Sequence, residues 1–307
     1  MAKKSSPTRS DQQKREVVER IVEDMRSRRL DWTRTWRLAA SPRNPLSGTV
    51  YRGGNRLQLT VVAAIRGYED PRWVTFHQAA EAGWALKKGS KSATIDRWKT
   101  FPAKEGADDD DDGEHEVLKL VGYWSVFNAS QFDNAPKLDV LEAETDRCGE
   151  MADGFIASSR CPVDEGLRDE AFYVPSRDVL CMPLRGQFSS NEAFLRTLLH
   201  EMVHSTGHES ALGRFGNEVP GPEDYAFEEL VAELGSMFAS ADAGIELGSA
   251  DDCVGFYDNH VAYLQHWTEM LEEDPSAIFR AAGAAQKACD YLMGNLKGTE
   301  SRDVADA

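Results

Sequence analysis

The run His200-Glu201-Met202-Val203-His204 sets two imidazoles at i and i+4 with a carboxylate directly after the first. On an α-helix that spacing turns both rings to one face, where two neutral imidazoles can share one Zn²⁺. Glu201 then sits beside the metal, placed to accept a proton from water held there. The alternative is a pair of ordinary structural histidines, and the surrounding sequence argues against it. Leu195, Leu198, Leu199, Met202 and Val203 recur at helical spacing and form an apolar stripe. Ser189 and Glu192 match a capping box at the start of this helix, and Gly207 suits its C-terminal stop.

A catalytic zinc site needs a third protein ligand and an open position for water. The next amphipathic segment, Asp224 to Phe238, supplies Glu229 and Glu233 at i, i+4, on a face distinct from its apolar stripe. Glu229 is the expected ligand and Glu233 the group that orients a histidine N–H from behind. Glu228, rotated by about 100°, is the alternative ligand. His208 follows His204 by four residues but beyond Gly207, so it is expected near the surface or behind the ligands. Tyr225 or His208 can steady an oxyanion. Manganese or cobalt can replace zinc on such donors. The pattern resembles the gluzincin-like metallopeptidases, which carry the two histidines on one helix and the glutamate on the next. That resemblance implies an edge strand near the metal that pairs with extended substrate, and residues 171–182 read as two short strands able to supply it.

The elements around these residues indicate an α+β protein. In the first half, apolar periodicity predicts a helix over 11–30, with Val17, Val18, Ile21, Val22 and Met25 on one face and Trp32 and Trp36 following it. A Pro- and Gly-rich stretch, 41–56, precedes helices expected from about Asn55 to Ile65 and from Thr75 to Ala82. Lys91–Phe101 and Val117–Phe127, rich in β-branched and aromatic residues, read as a hairpin. Its acidic connection, 105–116, cannot pack and is expected to be a solvated loop. The expected organisation is a helical N-terminal domain with this hairpin over 1–132, a linker over 133–145, and a mainly helical zincin-like domain with a small sheet over 146–307. A chain of 307 residues suits two domains.

The net charge of −17 conceals an asymmetry. Residues 1–104 hold 22 Lys and Arg against 10 Asp and Glu, +12, whereas the remainder holds 13 against 42, −29. A basic half can neutralise phosphates, although basic residues also solvate ordinary helix faces. The five cysteines are scattered and include no Cys-x-x-Cys pair, which argues against a disulfide framework and for a reducing, cytoplasmic setting. The polar, basic start is no secretory signal, and no apolar run suits a membrane span.

Several separate blocks resemble the ArdC-type antirestriction proteins. They are Asn44-Pro-Leu-Ser-Gly-Thr-Val-Tyr-Arg-Gly-Gly-Asn-Arg56, Asp70-Pro-Arg-Trp-Val-Thr-Phe-His-Gln-Ala80, Lys88-Gly-Ser-Lys91 and Val126-Phe-Asn128, then Leu199 to Gly207 and Glu228 to Glu233. The likeness spans roughly residues 10–240. It implies a single-stranded-DNA-binding N-terminal domain joined to a zincin-like domain, in a protein of a plasmid or phage that protects incoming DNA from restriction. A host restriction enzyme is then an expected protein substrate. Single-strand binding combines cations with aromatic platforms, and the residues expected to supply them are Tyr51, Arg52, Arg56, Trp73, Phe76, Lys87, Lys88 and Lys91. Trp73 and Phe76 are equally suited to a core; Arg52 and Arg56 flank a Gly-Gly turn that would admit phosphate. Two other readings stay open: a DNA-coating protein with a structural metal domain, and a mimic of DNA through the acidic half.

Overall fold

The computed structural model describes residues 8–28, 41–102, 116–137, 147–215, 222–245 and 266–305. The acidic run between the hairpin strands, most of the expected linker, and Trp32 and Trp36 lie outside the described residues. The first helix, α1 (Arg9–Arg28), buries the apolar face anticipated from its periodicity. Helix α2 (Gly53–Arg66) ends at Gly67 in the left-handed conformation, φ 67°. Strand β1 (Trp73–Val74) leads into α3 (Phe76–Glu81), which opens with a reciprocal capping box between Thr75 and Gln78. A two-residue strand, β2 (Ala85–Leu86), pairs with β5 (Phe132–Asp133). Between them run the two long strands, β3 (Ala93–Pro102) and β4 (Glu116–Asn128), antiparallel, with a bulge at Arg97/Trp98. The sheet order is β1-β4-β3.

In the second half, α4 (Arg147–Ala157) precedes a three-stranded sheet of β6 (Val163–Gly166), β7 (Phe172–Val174) and β8 (Val179–Pro183). The order β6-β8-β7 leaves β7 at the edge. Helices α5 (Asn191–Ser205) and α6 (Pro222–Asp242) pack on each other, a helical stretch over 266–273 is α7, and α8 (Ala277–Ala305) follows. The α+β character read from the sequence is thus observed. One boundary differs: α5 is capped by Ser190, whose side chain accepts from the Ala193 N–H at 3.1 Å, and not by Ser189. Both serines satisfy the composition rule, and only the extended backbone at Ser190 selects it.

One buried apolar cluster runs through both halves, from Val17, Leu57 and Trp73 to Leu199, Leu230 and Ala281. Helix α8 contributes an alanine-rich stripe, Ala281, Ala285 and Ala288, which lets α2 and α6 approach it closely. Gly53 and Gly54 serve the same contact: an added Cβ would stand 3.7 Å from Gly283 and 3.5 Å from Phe279 respectively. That Gly-Gly turn therefore faces α8 and not a phosphate.

Candidate functional site

Helix α5 crosses the interior with Leu195, Leu198, Leu199 and Val203 wholly buried, so its opposite face can carry a site only where another helix covers it. Helix α6 does so. Gly235 permits the close approach, because a Cβ there would meet Val203 at 2.8 Å. The contact sets Glu229 against both imidazoles. His200 Nε2 and His204 Nε2 are 3.2 Å apart, and the Glu229 carboxylate oxygens stand 3.3 Å from the first and 3.5 Å from the second. A tetrahedral ion bound at about 2.0–2.1 Å requires donor–donor separations of about 3.3–3.4 Å. Two nitrogens and an oxygen at these distances fit a divalent metal, and the three donors all lie within 4.8 Å of one another.

Behind each histidine stands a glutamate, and behind each glutamate an arginine. His200 Nδ1 is 3.7 Å from Glu233, whose carboxylate accepts from Arg196 at 3.0 Å in a fully interior pair. His204 Nδ1 is 3.4 Å from Glu228, which accepts two bonds from Arg214 at 2.6 and 3.1 Å. Arg214 also donates to the Val203 carbonyl at 2.9 Å and the Thr206 hydroxyl at 2.7 Å, tying the end of α5 to α6. Glu228, the alternative ligand, therefore faces the rear of His204, while Glu229 faces the donor triangle. The arginines went unread in the sequence. Arg196 did leave a signal, since it lies one turn before His200 on the same face of a helix whose other residues are mostly apolar.

The electrostatics follow from this packing. Burial disfavours the charged form of His200, but hydrogen bonds to Glu229 and Glu233 outweigh it and push the group up to about 10. His204 is raised in the same way, burial being outweighed by Glu229 and Glu228. Burial would raise Glu228, but its bonds to His204 and Arg214 prevail and lower it. With both imidazoles neutral, Glu201, Glu228, Glu229 and Glu233 outnumber Arg196 and Arg214, so protons on the histidines supply the positive charge that a bound cation would replace. Glu201 lies beside the triangle with 8% exposure. Burial raises its pKa above the usual carboxylate range, against the pull of His204 and His200 and a main-chain hydrogen bond from Tyr173. That bond brings the edge strand β7 alongside Glu201.

His208 does not join the cluster. Its Nδ1 sits 2.8 Å from the Ser210 hydroxyl and 3.9 Å from Asp178, because the chain has already left the helix at Thr206. Tyr225 is 49% exposed on the first turns of α6, four residues before Glu229 and hence on its side of the helix.

The residues expected to contact DNA divide. Tyr51 and Trp73 are buried, the Tyr51 hydroxyl donating to the Trp73 carbonyl at 3.3 Å. Arg56 is interior as well: it donates to the Phe238 carbonyl at 2.9 Å, pairs with Asp242 at 3.1 Å and stacks 4.2 Å from the Phe238 ring. These three are interior and offer no stacking or phosphate-binding surface, a correction that for Arg56 follows from the position of α6 and α8. Arg52 is exposed but bonded to Asp290. Phe76, Lys87, Lys88 and Lys91 are exposed, with Lys87 donating to the Ser130 carbonyl at 2.9 Å.

A helix bearing two histidines and a glutamate, joined by a glutamate from the following helix and flanked by an edge strand, defines a zincin-like centre. The family described as zincin-like metallopeptidase matches residues 150–284, and that described as the N-terminal domain of anti-restriction factor ArdC matches residues 11–127. The crystal structure of the metal-free antirestriction protein ArdC from plasmid R388 is 32% identical, with a TM-score of 0.72 over 93% of this chain and 98% of that one. Its Mn(II)-bound structure is likewise 32% identical and superposes with a TM-score of 0.71, covering 92% of this chain and 97% of that one. The chain belongs to the ArdC-type antirestriction family. It is also 31% identical to the y4eC protein of Sinorhizobium fredii over 91% of this chain and 89% of that protein. The DNA primase TraC of Escherichia coli is 36% identical over 91% of this chain, which spans only 27% of that primase's length. A second TraC primase of the same organism is spanned over 19% of its length. Among the described residues no helix is long and apolar enough to cross a membrane.

Proposed function

We propose that this protein binds single-stranded DNA through its basic N-terminal half and hydrolyses peptide bonds at a zinc centre formed by His200, His204 and Glu229. The observation that carries the reading is the donor triangle with the buried Glu201 carboxylate beside it. A divalent ion held there lowers the pKa of water and polarises a carbonyl. Glu201, with its raised pKa, is suited to take a proton from the attacking water and return it to the departing amine nitrogen. The edge strand β7 can pair with an extended peptide and fix it across the centre. Tyr225 stands on the Glu229 side of α6, where a hydroxyl can steady the developing oxyanion. Zinc suits the nitrogen-rich donor set, and manganese, present in the R388 relative, is its competitor. A host restriction enzyme is the substrate that the family's antirestriction role favours.

The experiment is proteolysis by zinc-loaded protein, of itself and of a restriction enzyme, with and without single-stranded DNA. Cleavage stimulated by DNA and abolished in Glu201→Gln, with metal retained, is the expected result. Unchanged turnover in Glu201→Gln would sink Glu201 as the base. Absence of cleavage by protein with both zinc and DNA bound would favour protection by coating the DNA.

A further inference from the structure

The β3–β4 ribbon is unusual in what it leaves outside. Its root is packed, with Ala93, Ile95 and Val126 in the core. From the Ile95↔Trp124 pair outward it carries Trp124, Tyr123, Trp98, Leu120, Leu118 and Phe101, each between 38% and 60% exposed. A two-stranded ribbon gains little stability alone in water, and a run of exposed aromatic rings of this extent marks a binding surface.

The register sorts these side chains onto two faces. Ile95↔Trp124, Arg97↔Gly122, Lys99↔Lys119 and Phe101↔Val117 are direct partners and share one face. Trp98↔Leu120 and Thr100↔Leu118 share the other. The ring contacts agree, with the Arg97 guanidinium 4.5 Å from the centre of Trp124 and Lys119 Nζ 5.9 Å from that of Phe101. Gly122, opposite Arg97, has no side chain to intervene. The first face therefore interleaves three cations with two aromatic rings. Among the described residues it carries no carboxylate, and none of its cations is ion-paired.

We propose that this face is where the chain binds single-stranded nucleic acid, bases stacking on Trp124 and Phe101 while Arg97, Lys99 and Lys119 meet the phosphates. The proposal rests on the DNA-binding half of the reading above and gives that half a surface that the interior Tyr51, Arg56 and Trp73 cannot. The chemistry selects a single strand, because stacking needs a base face that a duplex keeps covered, and every base has one. Trp124 and Phe101 stand about 20 Å apart along the ribbon, six residues at the strand rise, with the two lysines between them. That suits a strand running along the arm. Arg97 is already stacked on Trp124, so less side-chain freedom is lost on binding.

The test uses the full chain and a fluorescein-labelled oligo-dT of about 20 nucleotides, read by anisotropy over a series of salt concentrations. Both rings are exposed, so Phe101→Ala/Trp124→Ala should melt as the parent does. It should bind at least about fivefold more weakly per ring removed. Lys99→Ala/Lys119→Ala should reduce the slope of log affinity against log salt by about 1.4. If the parent binds while the ring variant keeps its affinity and the lysine variant its slope, the site is overturned and the DNA-binding reading stands. If the parent does not bind the probe, both fall.

Discussion

At the scale of single residues, the geometry of the proposed ligands depends on the charged groups packed behind them. Arg196 and Glu233 are each about 5% exposed at the side chain, so removing one leaves a charge in the interior. Arg196→Met should cost about 3–5 kcal/mol in denaturant unfolding, and metal affinity should fall tenfold to a hundredfold because His200 loses its oriented carboxylate. Arg196→Met/Glu233→Leu should recover most of the stability but not the affinity. Recovery of both would show that the pair does not orient His200. Proton competition gives a second test. An ion needs neutral imidazoles, whereas the neighbouring glutamates keep His200 protonated up to about 10 and raise His204 as well. Affinity for zinc should therefore rise with pH across neutrality, by about tenfold per pH unit for each proton displaced. Calorimetric titration between about pH 6 and 8 should show it, and a flat profile would mean that the histidines are neutral in the metal-free chain.

Among elements, the decisive contact is α5 on α6. The i, i+4 periodicity of each helix sets which side chains share a face, but the separation of the helices sets whether Glu229 reaches the imidazoles. Gly235 controls it through Val203. Gly235→Ala should cost about 1–3 kcal/mol by overpacking and weaken metal binding, since the helices must part next to His204. Adding Val203→Ala opens the space again, and affinity should return. Failure of that rescue would place the role of Gly235 outside the contact. The strands behave differently. Periodicity two and β-branched composition made β3 and β4 legible to within two residues, yet those signals do not show that the outer half of the ribbon stands away from the core.

For the whole molecule, the Arg56–Asp242 contact is diagnostic. Arg56 lies in α2, Asp242 ends α6, and Gln286 and Cys289 of α8 close the group, the Cys289 thiol donating to Asp242 at 3.3 Å. An arginine this deep spends its charge holding the halves together. Arg56→Ala should lower stability by about 3 kcal/mol, the low end for a buried pair, because Asp242 keeps 25% of its side-chain exposure. With one apolar cluster running through both halves, calorimetry should show a single transition that shifts as a unit. Two resolved peaks would mean that the halves unfold independently despite the shared cluster.

What the sequence determined by itself is local. The i, i+4 spacing placed His200 with His204 and Glu229 with Glu233, and strand and helix identities followed from apolar period, caps and turns within a dozen residues. These depend on backbone geometry that neighbours in the chain share. The tertiary structure alone decided everything that needed two distant segments at once. Glu228 and Glu229 are adjacent and chemically identical, and only the seating of α6 on α5 turned one behind His204 and the other toward both rings. Arg56 and Arg97 are likewise both arginines in a basic half. One is covered by helices that begin more than 160 residues later, and the other is half-buried where the ribbon leaves its packed root, with its guanidinium on the exposed Trp124 ring. Burial is a property of the assembled core, so charge and aromaticity counted along the chain cannot distinguish them.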